Sequence, residues 1–100
     1  MSLLFLAEDN PGDVFLIREA LREHAVDCEL DIASDGAAAR EYFTKIEREG
    51  ASVPDLVLLD LNLPKISGLE LLRRIKNIPR CQATPVVVIS SSDSPHDRLE

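Results

Sequence analysis

Positive charge is the first thing this chain has little of. Eleven Lys and Arg stand against 18 Asp and Glu, a formal net charge of −7. No basic stripe is available to meet phosphates, which argues against binding of nucleic acid or an anionic membrane by this segment. Long apolar runs are also absent, and none approaches the roughly 18–20 residues that a membrane span needs. The amino terminus, Met1-Ser2-Leu3-Leu4-Phe5-Leu6, reaches Glu8 and Asp9 early and has no basic segment before it, so a secretory signal is not expected. Cysteine is scarce: Cys28 and Cys81 show neither metal-ligand spacing nor a disulfide framework, and a reduced, cytoplasmic setting is the expectation. Only four glycines occur, with no Gly-rich phosphate loop among them, which disfavours nucleotide binding. There is no internal repeat, low-complexity segment or domain linker.

What is present suffices for one packed domain, because 45% of the 100 residues are hydrophobic. The clearest stretch is Pro54 to Pro64, where four consecutive apolar residues, Leu56 to Leu59, run into the single carboxylate Asp60. A short apolar run bounded by turn signals reads as a strand buried on both faces, as in a parallel sheet. An acid at the carboxyl end of such a strand lies where open α/β sheets bind ligands, although an isolated Asp there also serves as a turn cap.

Leu3 to Ala7 is a second apolar run, and it ends in Glu8 and Asp9. Asn10-Pro11-Gly12-Asp13 then marks a helix start, followed by Val14, Ile17, Leu21 and Ala25 at helical spacing. Leu16 and Ala20 form a second apolar flank of that helix. Cys28 to Ala33 alternates as an edge strand does, and Ser34-Asp35-Gly36 is a turn and cap. A helix is expected over 37–49, with Ala38, Tyr42, Phe43 and Ile46 inward. Another is built by Leu69, Leu71, Leu72 and Ile75 and stops before Pro79. Val86 to Ile89 is a fourth strand, rich in β-branched residues, and Ser90 to Pro95 leads toward a further helix start. The order β-α-β-α-β-α-β predicts a parallel sheet with right-handed crossovers.

Three of these strands end in chemistry: Glu8 and Asp9 after the first, Asp60 after the third, Ser90 after the fourth. Glu8 and Asp9 alone would read as a helix cap. In a parallel sheet, however, all carboxyl ends share one edge. Two like charges about 4 Å apart at an effective dielectric near 20 cost roughly 4 kcal/mol. Such a cluster needs a cation, a shared proton or separation. An all-oxygen set with few fixed groups suits Mg²⁺.

Taken together, Glu8-Asp9-Asn10, the run Leu58-Leu59-Asp60-Leu61-Asn62-Leu63-Pro64 with Gly68, and Val88-Ile89-Ser90-Ser91 resemble the receiver domain of two-component response regulators. The likeness covers the whole chain. The segment Glu8 to Val14 is most similar to the single-domain subgroup that partners phytochrome-type sensor kinases. The resemblance implies a flavodoxin-like doubly wound sheet in the order 2-1-3-4 and one domain over 1–100. It implies that Asp60 accepts a phosphoryl group from a sensor histidine kinase. Mg²⁺ would be held by Glu8, Asp9, Asp60 and the backbone carbonyl of Asn62. Ser90 would be the switch hydroxyl, and Pro64 and Gly68 would shape the acceptor loop. Lys65, in that loop, is expected to face solvent. Self-phosphotransfer and autodephosphorylation at Asp60 are expected, with no turnover on an external substrate, and the output is a switch in protein–protein contacts.

The family pattern continues past this sequence, with a fifth strand, a lysine after it and a fifth helix. The reading is therefore of a receiver domain truncated after the loop that follows the fourth strand, with Val86–Ile89 an exposed apolar edge prone to self-association. A haloacid-dehalogenase-like phosphohydrolase is the alternative enzyme reading, but position 62 is Asn where that class has a second Asp. A pseudo-receiver acting by binding alone is the alternative binding module. His24, near the end of the first helix, is read as complementing the helix dipole, His96 as exposed, and Phe15 as a partner-contact residue on a polar helix face.

Overall fold

The computed structural model describes residues 2–89. Strand β1 (Ser2–Ala7) is followed by α1 (Pro11–Glu23), β2 (Cys28–Ala33), α2 (Gly36–Glu49), β3 (Leu56–Asp60) and α3 (Gly68–Lys76). A single 3₁₀ turn, Pro79–Cys81, leads to β4 (Val86–Ile89). The four strands form one sheet in the order β2-β1-β3-β4, and each neighbouring pair is parallel. The expected doubly wound arrangement is the observed one.

The core lies between the sheet and α2 and α3. Phe5 and Ala7 of β1 and Val57 and Leu59 of β3 point there, against Ala39, Phe43 and Ile46 of α2 and Leu71 and Ile75 of α3. Phe5 stacks on Tyr42 at a centroid separation of 4.2 Å and meets Phe43 edge-on at 5.0 Å. Full burial of each large side chain contributes roughly 1.5–3 kcal/mol. The opposite face is covered less completely. Leu4 and Leu6 are buried there, but α1 buries none of its own residues fully, and Leu56 and Leu58 stay half-buried. The expectation of a β3 buried on both faces is therefore corrected: one face is sealed and the other is half-covered.

Three further positions differ from expectation. Ala25 lies outside α1. The helix closes when Val26 N–H donates to Leu21 O and Ala25 N–H to Arg22 O, which turns Ala25 into the left-handed region at φ +54°. Ala39, not Ala38, is the inward alanine of α2, because it stands one turn before Phe43. Leu69 of α3 is half exposed, since the apolar stripe of that short helix is carried by Leu71 and Ile75. At the sheet edge, Val87 and Val88 of β4 are exposed. No helix among the described residues is long and apolar enough to cross a membrane.

Candidate functional site

The register of the sheet brings the acids together. Ala7 pairs with Leu59 across the β1–β3 junction, so one step further Glu8 stands beside Asp60 on neighbouring strands. The junction is also where the chain reverses direction across the sheet, and ligands bind at the carboxyl edge of such a point. A carboxylate oxygen from each of Glu8, Asp9 and Asp60 lies within 4.8 Å of the others. Glu8 and Asp60 are buried and Asp9 is exposed, so the cluster opens to solvent on one side.

The two buried acids are each held by a backbone N–H. Asn62 N–H donates to Asp60 Oδ1 at 3.0 Å, and Asn10 N–H donates to Glu8 Oε2 at 3.1 Å. Asn10 is also the N-cap of α1, and its side-chain oxygen accepts from Gly12 N–H at 2.8 Å. Asp60 Oδ2 is buried with no hydrogen-bond partner among the described residues. An orphaned buried carboxylate oxygen is costly, and it marks where a ligand would be bound. Burial pushes Glu8 up to about 7; the Asn10 N–H works against that rise and the negative charge of Asp60 adds to it. The donor set, three carboxylates with one unsatisfied oxygen, fits a hard oxygen-seeking dication.

The loop after β3 is shaped by close contacts. At Gly68 an added Cβ would lie 2.4 Å from Asp60 O and 2.7 Å from Leu61 Cα, so α3 begins flush against the backbone of Asp60 itself. Gly68 N–H donates to Leu61 O at 3.3 Å. Pro64 O accepts from Gly36 N–H and from Ile66 N–H, both at 2.9 Å. Lys65 faces solvent, as expected, and in addition its Nζ lies 3.2 Å from Asp35 Oδ2 in an ion pair with the N-cap of α2. The sequence holds no local signal for that pair, because 29 intervening residues separate its ends and only the fold brings them together. Ser90 and His96 lie outside the described residues.

Residues 4–100 match the family described as the response regulator receiver domain. The chain is 41% identical over 96 residues to response regulator Rcp1 of Synechocystis sp., an alignment covering 95% of this chain and 65% of Rcp1. It thus spans just under two thirds of that relative. Among solved structures, the phosphorylated cyanobacterial phytochrome response regulator RcpA is 44% identical at a TM-score of 0.80, covering 98% of this chain and 71% of that one. The Mn²⁺-bound form of Rcp1 is 39% identical at a TM-score of 0.81, covering 99% and 72%. A parallel 2-1-3-4 sheet, three acids converging at its switch point and a family match over nearly the full length have one reading: the chain belongs to the response regulator receiver domain family.

Proposed function

We propose that Asp60 is the phosphoacceptor of this chain and takes its phosphoryl group from the phosphohistidine of a sensor histidine kinase. A carboxylate oxygen of Asp60 forms the new O–P bond as the P–N bond of the phosphohistidine breaks, and the departing imidazole keeps the electron pair. The observation that carries this reading is the buried Asp60 with its unpartnered Oδ2 beside Glu8 and Asp9.

The chain's own residues align and restrain. Asn62 N–H fixes the rotation of the Asp60 carboxylate through Oδ1, which leaves Oδ2 free of protein donors. Burial on the strand end keeps bulk water from most of the carboxylate. Glu8, Asp9, Asp60 and the Asn62 carbonyl would hold Mg²⁺, which when bound neutralises the acids and the charge of the phosphoryl oxygens. Pro64 and Gly68 shape the loop, and Ser90, directly after β4 in sequence, is the switch hydroxyl for the phosphorylated state. Likeness to phytochrome response regulators supports a phytochrome-type kinase as the donor. The output is a change in protein contacts, without turnover of an external substrate, in a cytoplasmic setting. The exposed β4 edge is a candidate surface for self-association.

Treatment with acetyl phosphate and Mg²⁺, followed by intact mass, tests the assignment. One added phosphoryl group is expected on the parent and none on Asp60→Asn. Equal uptake by the two proteins would remove Asp60 from the role.

A further inference from the structure

The loop that leaves Asp60 is fastened to a second element that carries no part of the acid cluster. Lys65 sits at φ +75°, a left-handed conformation that side chains other than glycine rarely adopt. Glycine would fit that backbone more comfortably, so a lysine there is an outlier that asks for a reason. Its ammonium supplies one by meeting Asp35 Oδ2 at 3.2 Å. Asp35 is doubly engaged, since its other oxygen accepts from Ala38 N–H at 2.8 Å and caps α2. The same junction is closed twice more. Gly36 N–H donates to Pro64 O at 2.9 Å, and Gly36 packs so tightly that a Cβ would lie 2.4 Å from Ile66 O.

We propose that Lys65 and Asp35 form an ionic clasp that positions the acceptor loop, and through it Asn62 and the Asp60 carboxylate, for metal uptake and phosphoryl transfer. Both are positioning residues. Three residues separate Asp60 from Pro64, the first point tied to α2, and Asn62 is the midpoint of that span. With both ends held, the Asn62 N–H stays on Asp60 Oδ1. With the clasp open, the turn at Lys65 keeps only its backbone bond from Ile66 N–H to Pro64 O and loses the side-chain contact that favours it, and the span gains freedom. The inference rests on the phosphoacceptor reading for its consequence, but the clasp has a readout of its own.

Simple charge and positioning predict opposite signs. Removing a lysine near an acidic site would tighten dication binding if Lys65 acted only through its charge. Positioning predicts weaker binding. K65Q is therefore expected to weaken Mg²⁺ uptake, followed by calorimetry with the metal alone, by roughly 1.5- to 5-fold, the range of an exposed ion pair. D35N, which keeps a capping oxygen, is expected to do the same, and the double variant to be no weaker than the weaker single one. K65R restores the parent value. K65G relieves the left-handed backbone, so its thermal stability is expected to equal or exceed the parent's while Mg²⁺ uptake still falls. In metal-free protein, the Asn62 amide proton resonance is expected to move upfield in K65Q as its bond to the carboxylate loosens. Tighter or unchanged Mg²⁺ binding in K65Q, or additive single and double variants, overturns the clasp. If the parent takes up no Mg²⁺ and accepts no phosphoryl group, the phosphoacceptor reading fails. The Asn62 resonance then decides the clasp alone, and an unmoved resonance in K65Q overturns it.

Discussion

At the scale of single residues, the dominant fact is a buried carboxylate with one oxygen unanswered. Asp60 is fully buried, its Oδ2 lacks a partner, and Glu8 stands beside it. Without a cation the fold carries that repulsion. Asp60→Asn is expected to stabilise metal-free protein by about 1–2 kcal/mol in urea unfolding, because it removes a buried like charge. The same variant is expected to lose the rise in melting temperature that saturating Mg²⁺ gives the parent, a rise worth about 2.7 kcal/mol at a hundred times the dissociation constant. A variant that melts below the parent in EDTA would contradict the picture.

Glu8 adds a pH dependence of definite sign. Its folded value, about 7, lies above the ordinary value of 4.5 chiefly because the group is buried. The unfolded chain thus releases this proton first as pH rises. Stability from Glu8 is fully present below about 4.5 and is lost as pH rises through about 7. Urea midpoints in EDTA are expected to fall between pH 5 and pH 8, and Glu8→Gln to flatten that slope. Asp60 and the acid pair were legible from sequence because each ends a strand, and parallel strands share an edge. Lys65 was not, since its meaning depends on a left-handed backbone and on a partner at the end of a strand two places across the sheet.

At the scale of elements, the contacts that matter most are those in which a backbone meets another backbone. Gly68 allows α3 to start against Asp60, and no side chain fits there. Gly68→Ala is expected to cost about 1–3 kcal/mol in urea unfolding, since Cβ and the Asp60 carbonyl cannot both keep their places. Weaker Mg²⁺ binding should accompany the loss; unchanged stability would mean that α3 moves away freely. Helix order and strand order followed from the sequence because apolar periodicity reports them well. Helix faces did so less well. The choice between Ala38 and Ala39 is a rotation of one residue, decided by the packing of Phe43 and not by the alanines themselves. Ala25 continued the apolar spacing of α1, but the capping bonds of Val26 and Ala25 ended the helix before it.

At the scale of the whole molecule, the two faces of the sheet are unequal. One is sealed by α2 and α3, while the other shows Leu56 and Leu58 half-buried and leads to the exposed Val87 and Val88 at the β4 edge. The 100-residue chain in isolation is expected to self-associate in light scattering, with mass rising with concentration. Val87→Lys is expected to shift it toward monomer. A monodisperse monomer at every concentration tested would remove the edge from consideration.

Helix α1 buries no residue fully, so little apolar contact holds it to the sheet. It is therefore the element expected to open first, with amides that exchange through local events well below the free energy of global unfolding. Its N-cap, Asn10, is also the residue whose N–H holds Glu8. Each opening of α1 that frees Asn10 would release one wall of the acid cluster. A cation in the cluster should then slow exchange along a helix that it does not touch, so the most weakly anchored part of the molecule becomes the part that reports the state of its most deeply buried acids.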